Sequence, residues 1–405
     1  MTRKRRALIV GLGIAGMAAA KRLHEIGWDV TVIERSSARR TGGYFVAMFH
    51  TGRLSAERMG ILEHIPNRMK PGARTWEVTR EGRRRKGMSF TSLPDGPRLV
   101  TRGDIETALF HALPDQVDVR FGTIPTRIEE HSDRVTVTTE TTSETATAES
   151  AEFDLVLGAD GIRSTVRRLA FGPDANFIHD MNYVIAATLL DDDLTGFERG
   201  DAVMLSEPGR SASTFAFSDI PPGVLFSYRA ANPREELAKK PIDALRAAYG
   251  PEPTGPVLAE MLHRYESADD ALFDVVQQVR MRQWHTGRVA LIGDAAWCMT
   301  LYSGLGASSG IAGAELLGTL LQRHDHDPLA ALPEWNRHLR PFVEYQHRTI
   351  DQSRSIFTSH DRIEHLRRKA MMRLISLPPV SGLLGHTLSR SEAFQMKAID
   401  IGAAG

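Results

Sequence analysis

Cysteine is almost missing from this chain: Cys298 is the only one in 405 residues. One thiol cannot form an intrachain disulfide, and no thiolate cluster can hold a metal. That usage fits a reducing compartment, so a cytoplasmic protein is expected. Long apolar runs are missing too. Nothing approaches the roughly 18 to 20 residues that cross a bilayer. The basic start, Met1 to Arg6, leads only into Ala7-Leu8-Ile9-Val10 before Gly11 breaks it, too short for a secretory leader. Net charge is absent as well, with 50 Lys and Arg against 50 Asp and Glu. No long-range field draws the chain to nucleic acid or a membrane surface, which points to a small-molecule partner. No internal repeat is visible.

What is present is an ordinary globular composition, 42% hydrophobic and 25% charged, so a large core can form without staples. The length allows two to three domains. Ala7 to Val10 reads as a strand buried in a parallel sheet, and Ile14, Met17, Ala18, Leu23 and Ile26 shift to helical spacing. Gly27 stops that helix, and Val30 to Ile33 makes a second strand. A further helix opens at Thr101-Arg102-Gly103-Asp104, with Asp104 as the expected cap. Arg127 to Thr142 reads as a meander, and Phe153 to Leu157 as another buried strand. From about Phe177 to Gln283 short strands between Pro/Gly turns suggest a separate antiparallel sheet. Arg288 to Ile292 returns to the buried parallel type. A long helix is expected from Ser308 to Arg323, and Leu332 to Ser389 reads as mostly helical.

The expected fold class is α/β (α+β): a Rossmann-like domain with an inserted antiparallel-sheet substrate domain and a C-terminal helical segment. The boundaries are 1–69, 101–175 and 284–350 for the first, 70–100 and 176–283 for the second, and 351–405 for the third.

Gly11-Leu12-Gly13-Ile14-Ala15-Gly16 fits G-x-G-x-x-G between the first strand and its helix. The first glycine makes the turn and the second admits a pyrophosphate. The third allows close helix–strand packing, and the helix N-terminus offers N–H groups and positive dipole. Glu34, ending the second strand, is placed to accept hydrogen bonds from a ribose. The motif means dinucleotide binding without separating FAD from NAD, although an acid at Glu34 argues against a 2′-phosphate.

Two further motifs carry a resemblance. Asp154-Leu-Val-Leu-Gly-Ala-Asp160-Gly161-Ile-Arg163-Ser164-Thr-Val-Arg167 resembles the DG motif of class A flavoprotein monooxygenases, the para-hydroxybenzoate hydroxylase-like group. Gly287-Arg-Val-Ala-Leu-Ile-Gly293-Asp294-Ala295-Ala296 resembles their GD motif. With the glycine fingerprint these stand in the family's order, to about Gln322. The resemblance implies FAD, with Asp294 on the ribityl chain and the helix after Gly304-Leu305-Gly306-Ala307 aimed at the flavin edge that turns negative on reduction. Arg102 matches an arginine that reaches the flavin and its phosphates, Arg35 is a candidate for the adenine, and Gly42-Gly43-Tyr44 matches the loop along the isoalloxazine. The cofactor set is therefore Gly11, Gly13, Ile14, Ala15, Gly16, Glu34, Arg35, Arg102, Asp160, Gly161, Gly293, Asp294, Gly306 and Ala307. Arg163 and Arg167 are open between nicotinamide phosphates and structural ion pairs. Where many relatives carry proline after the GD motif this chain reads Trp297-Cys298-Met299-Thr300-Leu301-Tyr302, which leaves the flavin's movement open.

The resemblance implies reduction of FAD by NADPH or NADH, then transfer of one oxygen of O2, through a flavin C4a-hydroperoxide, to a small aromatic or polyketide-like substrate. No catalytic side chain is required. Hydroxylation is the default, with epoxidation and Baeyer–Villiger insertion open. Two other readings stand: an FAD-dependent dehydrogenase, oxidase or cyclase on the same fold, and a non-catalytic flavin-binding protein. The five tryptophans form no W-x-W-x-I-P segment, which argues against a halogenase. No metal site is expected: His324-Asp325-His326-Asp327 reads as a solvated loop, Arg83 to Lys86 as an exposed hairpin, and Cys298 as buried and inert. The segment Ile356 to Leu388 is expected to pack on the FAD domain or over the active site. No nucleic acid, no stable membrane insertion, and a monomer or homodimer complete the expectation.

Overall fold

The computed structural model describes residues 3–39, 43–87, 89, 96–143, 147–375 and 392–403. Strand β1 (Arg6–Val10), helix α1 (Ile14–Glu25) and strand β2 (Asp29–Glu34) form the first βαβ unit. Strand β1 is central in a six-stranded sheet. Leu155–Gly158 and Val289–Leu291 lie to one side, and β2 and Asp118–Phe121 lie to the other. All of these pairings are parallel, and only His285–Thr286 closes an edge in the antiparallel sense. The strands are short apolar runs because both faces are covered. Helix α1 packs against helices Arg102–His111 and Gly306–Arg323, while Val135, Val137 and Phe153 bring the meander into the same core.

Helix Arg102–His111 departs from the expected cap. Thr101 is the N-cap: its side chain accepts from the Asp104 N–H, and Asp104 returns the bond to the Thr101 N–H, making a capping box. The long helix after the GD motif begins at Gly306, two residues before the expected Ser308.

A second sheet runs Leu272–Val279, Ile178–Leu189, Gly223–Arg229, Arg210–Phe215, Ala202–Glu207, Thr75–Val78, Arg84–Lys86. It is antiparallel except where Thr75–Val78 lies parallel to Ala202–Glu207. The basic run Arg83 to Lys86 thus forms one arm of an edge hairpin. Side chains alternate across this sheet. Val184, Ala186 and Phe226 point into a core roofed by helices Pro241–Tyr249 and Gly255–Glu266. Ile185, Ala187 and Leu225 point the other way, into a cavity between the two sheets. Those two helices fall inside a stretch that reads as strands and turns. Each buries only a short stripe, such as Leu245 with Tyr249 and Leu258 with Met261 and Leu262.

Helix Pro328–Phe357 runs back along the molecule, and Arg362–Ile375 leans on the second sheet, where Arg368 meets Glu77 and Met204. Residues 376–391, which include part of the segment expected to be helical, lie outside the described residues. Trp284, Trp297 and Trp335 converge with ring centroids 4.8 to 6.1 Å apart, and the Trp335 indole N–H donates to the Gly313 carbonyl at 2.8 Å. The sequence HDHD joins this frame: His326 accepts from the Trp28 indole at 2.9 Å, and His324 pairs with Glu334 at 2.7 Å.

Candidate active site

The cavity between the sheets measures about 590 Å³ and opens at the carboxyl ends of the parallel strands, where α/β folds bind ligands. Of the residues singled out from sequence, Gly11, Gly13, Ile14, Ala15, Glu34, Arg35, Arg102, Asp160, Gly161, Gly293, Asp294, Gly306 and Ala307 line it. Gly16 does not. A Cβ there would collide with the Gly11 carbonyl oxygen, so Gly16 serves the crossing of helix and turn. Gly11 itself turns at φ +106°, with Ala159 and Asp160 backbone pressed against it. A Cβ on Gly13, by contrast, would meet no protein atom within 4 Å. Gly13 is also the N-cap of α1 and makes no side-chain cap. The backbone is therefore open where an anionic ligand would approach a helix N-terminus.

Glu34 is fixed by two backbone donors. The Leu12 N–H reaches Oε2 and the Ser36 N–H reaches Oε1, both at 2.9 Å. Each oxygen keeps a lone pair for a further donor.

Asp160 accepts from the N–H groups of Thr165 (2.6 Å) and Val166 (3.2 Å) through Oδ2, while its buried Oδ1 has no partner among the described residues. Burial holds its carboxyl above the ordinary range. Asp294 follows Gly293, which turns at φ +65° with Ala15 packed beneath it. The Asp294 side chain is accessible and lines the cavity. Surrounding protein pushes its carboxyl up as well, with Cys298 and Arg102 opposing that. An orphaned carboxylate oxygen, a second carboxylate with free surface in the cavity and an unfilled glycine turn together suit a polyhydroxylated dinucleotide such as FAD.

Arg102 pairs with Glu106 at 2.6 Å, and its N–H donates to the Tyr44 carbonyl at 2.9 Å. Tyr44 lines the cavity beside it, its phenol pushed up by burial. Gly42, of the same expected loop, lies outside the described residues. Arg163 crosses from the DG loop to Asp274 of the second sheet at 2.6 Å, tying the two halves at the cavity. Arg167 is wholly buried, donating to the carbonyls of Ala295 (2.9 Å) and Ile162 (2.6 Å) and pairing with Asp174. Burial withdraws Arg167 from any nicotinamide phosphate, while Arg163, paired with Asp274, keeps an exposed side chain at the cavity.

The proline-free segment after Asp294 turns at Thr300, φ +71° and ψ 162°, a conformation usually left to glycine. Cys298 lines the cavity with its thiol against the Gln277 carbonyl, and burial keeps that thiol protonated.

Sequence reasoning missed the aromatic part of the lining. Phe45 stacks on Phe215 with centroids 3.9 Å apart and planes 12° from parallel. Phe357 adjoins Phe215 and Tyr302, at 6.4 and 6.3 Å. Tyr302 is anchored by Ser227 at 2.5 Å, and Leu225, Leu272 and Ile185 complete an apolar surface. These residues come from separate strands and helices far apart in the chain, so no local pattern joins them.

Residues 4–324 match the family model described as FAD binding domain, and the chain belongs to that family of FAD-dependent monooxygenases of the para-hydroxybenzoate hydroxylase type. It is a flavin-dependent monooxygenase, an oxidoreductase whose cofactor is FAD. A flavin-dependent monooxygenase from an unknown prokaryotic organism is 29% identical over 352 residues, covering 85% of this chain and 87% of that protein. The FAD-dependent monooxygenase asL4 of Sarocladium schorii is 30% identical over 338 residues, covering 79% and 76%. Among solved structures, a variant of Klebsiella pneumoniae HpxO complexed with FAD superposes with a TM-score of 0.76, 20% identity, and coverage of 97% and 99%. Tetracycline destructase Tet(55) gives 0.74, 23%, and 92% and 96%. The monooxygenase class implies a small-molecule substrate and O2. Among the described residues no helix is long and apolar enough to cross a membrane.

Proposed function

We propose that the enzyme uses NADPH or NADH and O2 to oxygenate a flat, largely apolar organic molecule of aromatic or polyketide-like character. One observation carries this reading: the aromatic cluster Phe45–Phe215–Phe357–Tyr302 lines the same cavity as Asp294 and Gly306. FAD, when bound, supplies the two-electron and oxygen-activating chemistry.

The chain's own groups bind and orient. The Leu12 and Gly13 turn and the start of α1 receive the pyrophosphate, and Glu34 accepts from the adenosine ribose. Asp160 and Asp294 take up the remaining hydroxyl and ring donors, with Arg35 and Arg102 flanking. The helix beginning at Gly306 turns its N-terminus and positive dipole to the flavin. The aromatic wall excludes water and holds the substrate plane, which protects the oxygen-transfer step from side reactions. Segments 1–69, 101–175 and 284–350 act as the FAD-binding domain, 70–100 and 176–283 as the substrate domain, and 351–405 as a helical cover. A cytoplasmic monomer or homodimer is the working form.

The test is a screen of planar substrates following NADPH consumption, with labelled dioxygen in the hits. Label in the product supports the reading. Substrate turnover without label would point to a dehydrogenase, oxidase or cyclase.

A further inference from the structure

The helix Glu392–Ala398 and the residues after it are held beside the cavity. Asp400 pairs with Arg58 at 2.7 and 2.9 Å, and Arg58 in turn holds Glu315 of the Gly306–Arg323 helix. Ile401 is buried, and its N–H donates to Thr51 at 3.3 Å. At Gly402 a Cβ would collide with Ser55 and Glu315, so the segment is pressed against its neighbours. This clamp carries Lys397 into the cavity. The Lys397 ammonium lies over the Phe49 ring, 4.6 Å from its centroid, and among the described residues it has no carboxylate partner. The Phe49 ring also borders Gly304, two residues before the helix N-terminus at Gly306. A half-buried cation and the positive end of an 18-residue helix therefore lie on the same cavity. An ammonium drawn partly out of water without an acid beside it costs stability unless an anion arrives. Burial alone draws its pKa down to about 8, which leaves it mostly charged at neutral pH.

We propose that Lys397 is an active-site cation, delivered by the C-terminal segment, that compensates the negative charge of the reduced flavin and so raises its reduction potential. A hydride from the dihydronicotinamide carries two electrons and one proton to the oxidised ring. It leaves an oxidised nicotinamide and a reduced ring bearing one negative charge. A fixed cation favours that product over the neutral oxidised ring. The inference rests on FAD occupying the cavity as proposed above.

The experiment compares Lys397→Met, Lys397→Gln and Lys397→Arg with wild type by reductive titration of the FAD-loaded proteins against a dye of known potential. The expected result is that each neutral variant binds reduced relative to oxidised FAD about 10-fold less well, about 30 mV for a two-electron couple. Lys397→Arg stays near wild type. The apo form of Lys397→Met melts no lower than wild type, because it has lost a partly desolvated, uncompensated charge. An unchanged potential in loaded neutral variants overturns the proposal. If substrate KM rises instead, the cation serves an ionised substrate and the proposal is again overturned. Neutral variants that fail to load FAD while Lys397→Arg loads would show that the charge acts on oxidised flavin, which overturns it too. Wild type that takes up no FAD would instead sink the placement of the flavin.

Discussion

The Leu12 N–H donates to Glu34 Oε2 at 2.9 Å, so the glycine turn and the end of β2 hold one another. Glu34 thereby presents the rest of its carboxylate to the cavity in a fixed direction. Glu34→Ala removes both this brace and an acceptor. With charged hydrogen bonds contributing roughly 1.5–3 kcal/mol each, FAD binding weakens by at least about 10-fold. Quenching of flavin fluorescence on binding measures it, and an unchanged Kd would refute the role.

The second and third glycines of the fingerprint separate binding from folding. Gly13→Ala places its methyl in open cavity and costs no more than about 1 kcal/mol of stability at an N-cap, yet it obstructs FAD. Gly16→Ala drives a methyl into the Gly11 carbonyl and destabilises by about 1–3 kcal/mol or more. Melting temperature and bound-flavin content, measured together, are expected to split in opposite ways.

Asp294 links pH, stability and cofactor. Its carboxyl is raised above its ordinary 3.8 by the protein packed around it, so the folded apo protein holds that proton more tightly than the unfolded chain. Apo stability from this group therefore falls as pH rises from 3.8 through the raised value, then levels off. Asp294→Asn removes the penalty and melts higher than wild type at pH 7 without FAD. At FAD equal to 100 times the wild-type Kd, wild type gains about 2.7 kcal/mol, whereas a variant binding about 10-fold more weakly gains about 1.4. Calorimetry with and without FAD checks both signs.

Arg167 gives a control. Arg167→Met removes one of the two arginines on Asp174 and strips hydrogen bonds from the Ala295 and Ile162 carbonyls, a loss of about 1–3 kcal/mol. KM for the nicotinamide in the surviving folded fraction stays at the wild-type value. A large rise in that KM would restore Arg167 to the reductant's site.

Phe357→Ala opens the aromatic wall at its helical end. Substrate KM rises about 10-fold, as the loss of an aromatic contact of about 0.5–1.5 kcal/mol beyond its buried area implies. More peroxide per NADPH accompanies the change, read by a coupled peroxidase assay.

The sequence showed clearly what is local. A strand, a glycine turn, a helix and an acid at the next strand end follow one another from Ala7 to Glu34, and their spacing carries their geometry. Gly293-Asp294 and Asp160-Gly161 were legible for the same reason, each ending a short buried strand. Arg167 was not, because only the register of Leu155–Gly158 beside Val289–Leu291 shows that it lies beneath Ala295. Phe45 and Phe215 stack from distant parts of the chain, a contact fixed by the meeting of two sheets. Lys397 sits in a short helix with no motif around it, and its burial follows from Arg58 and Asp400, 342 residues apart.

The sheet order also imposes a timetable on synthesis. Strand β1 emerges first, yet its partner on one side is Leu155–Gly158. At ribosomal speeds of roughly 5–20 residues per second, that edge of β1 stays unpaired for about 7–30 seconds. Val289–Leu291 arrives later still. Fragments ending before residue 155 would expose an apolar, parallel-ready edge, so premature termination is expected to yield aggregates rather than a small flavin-binding domain.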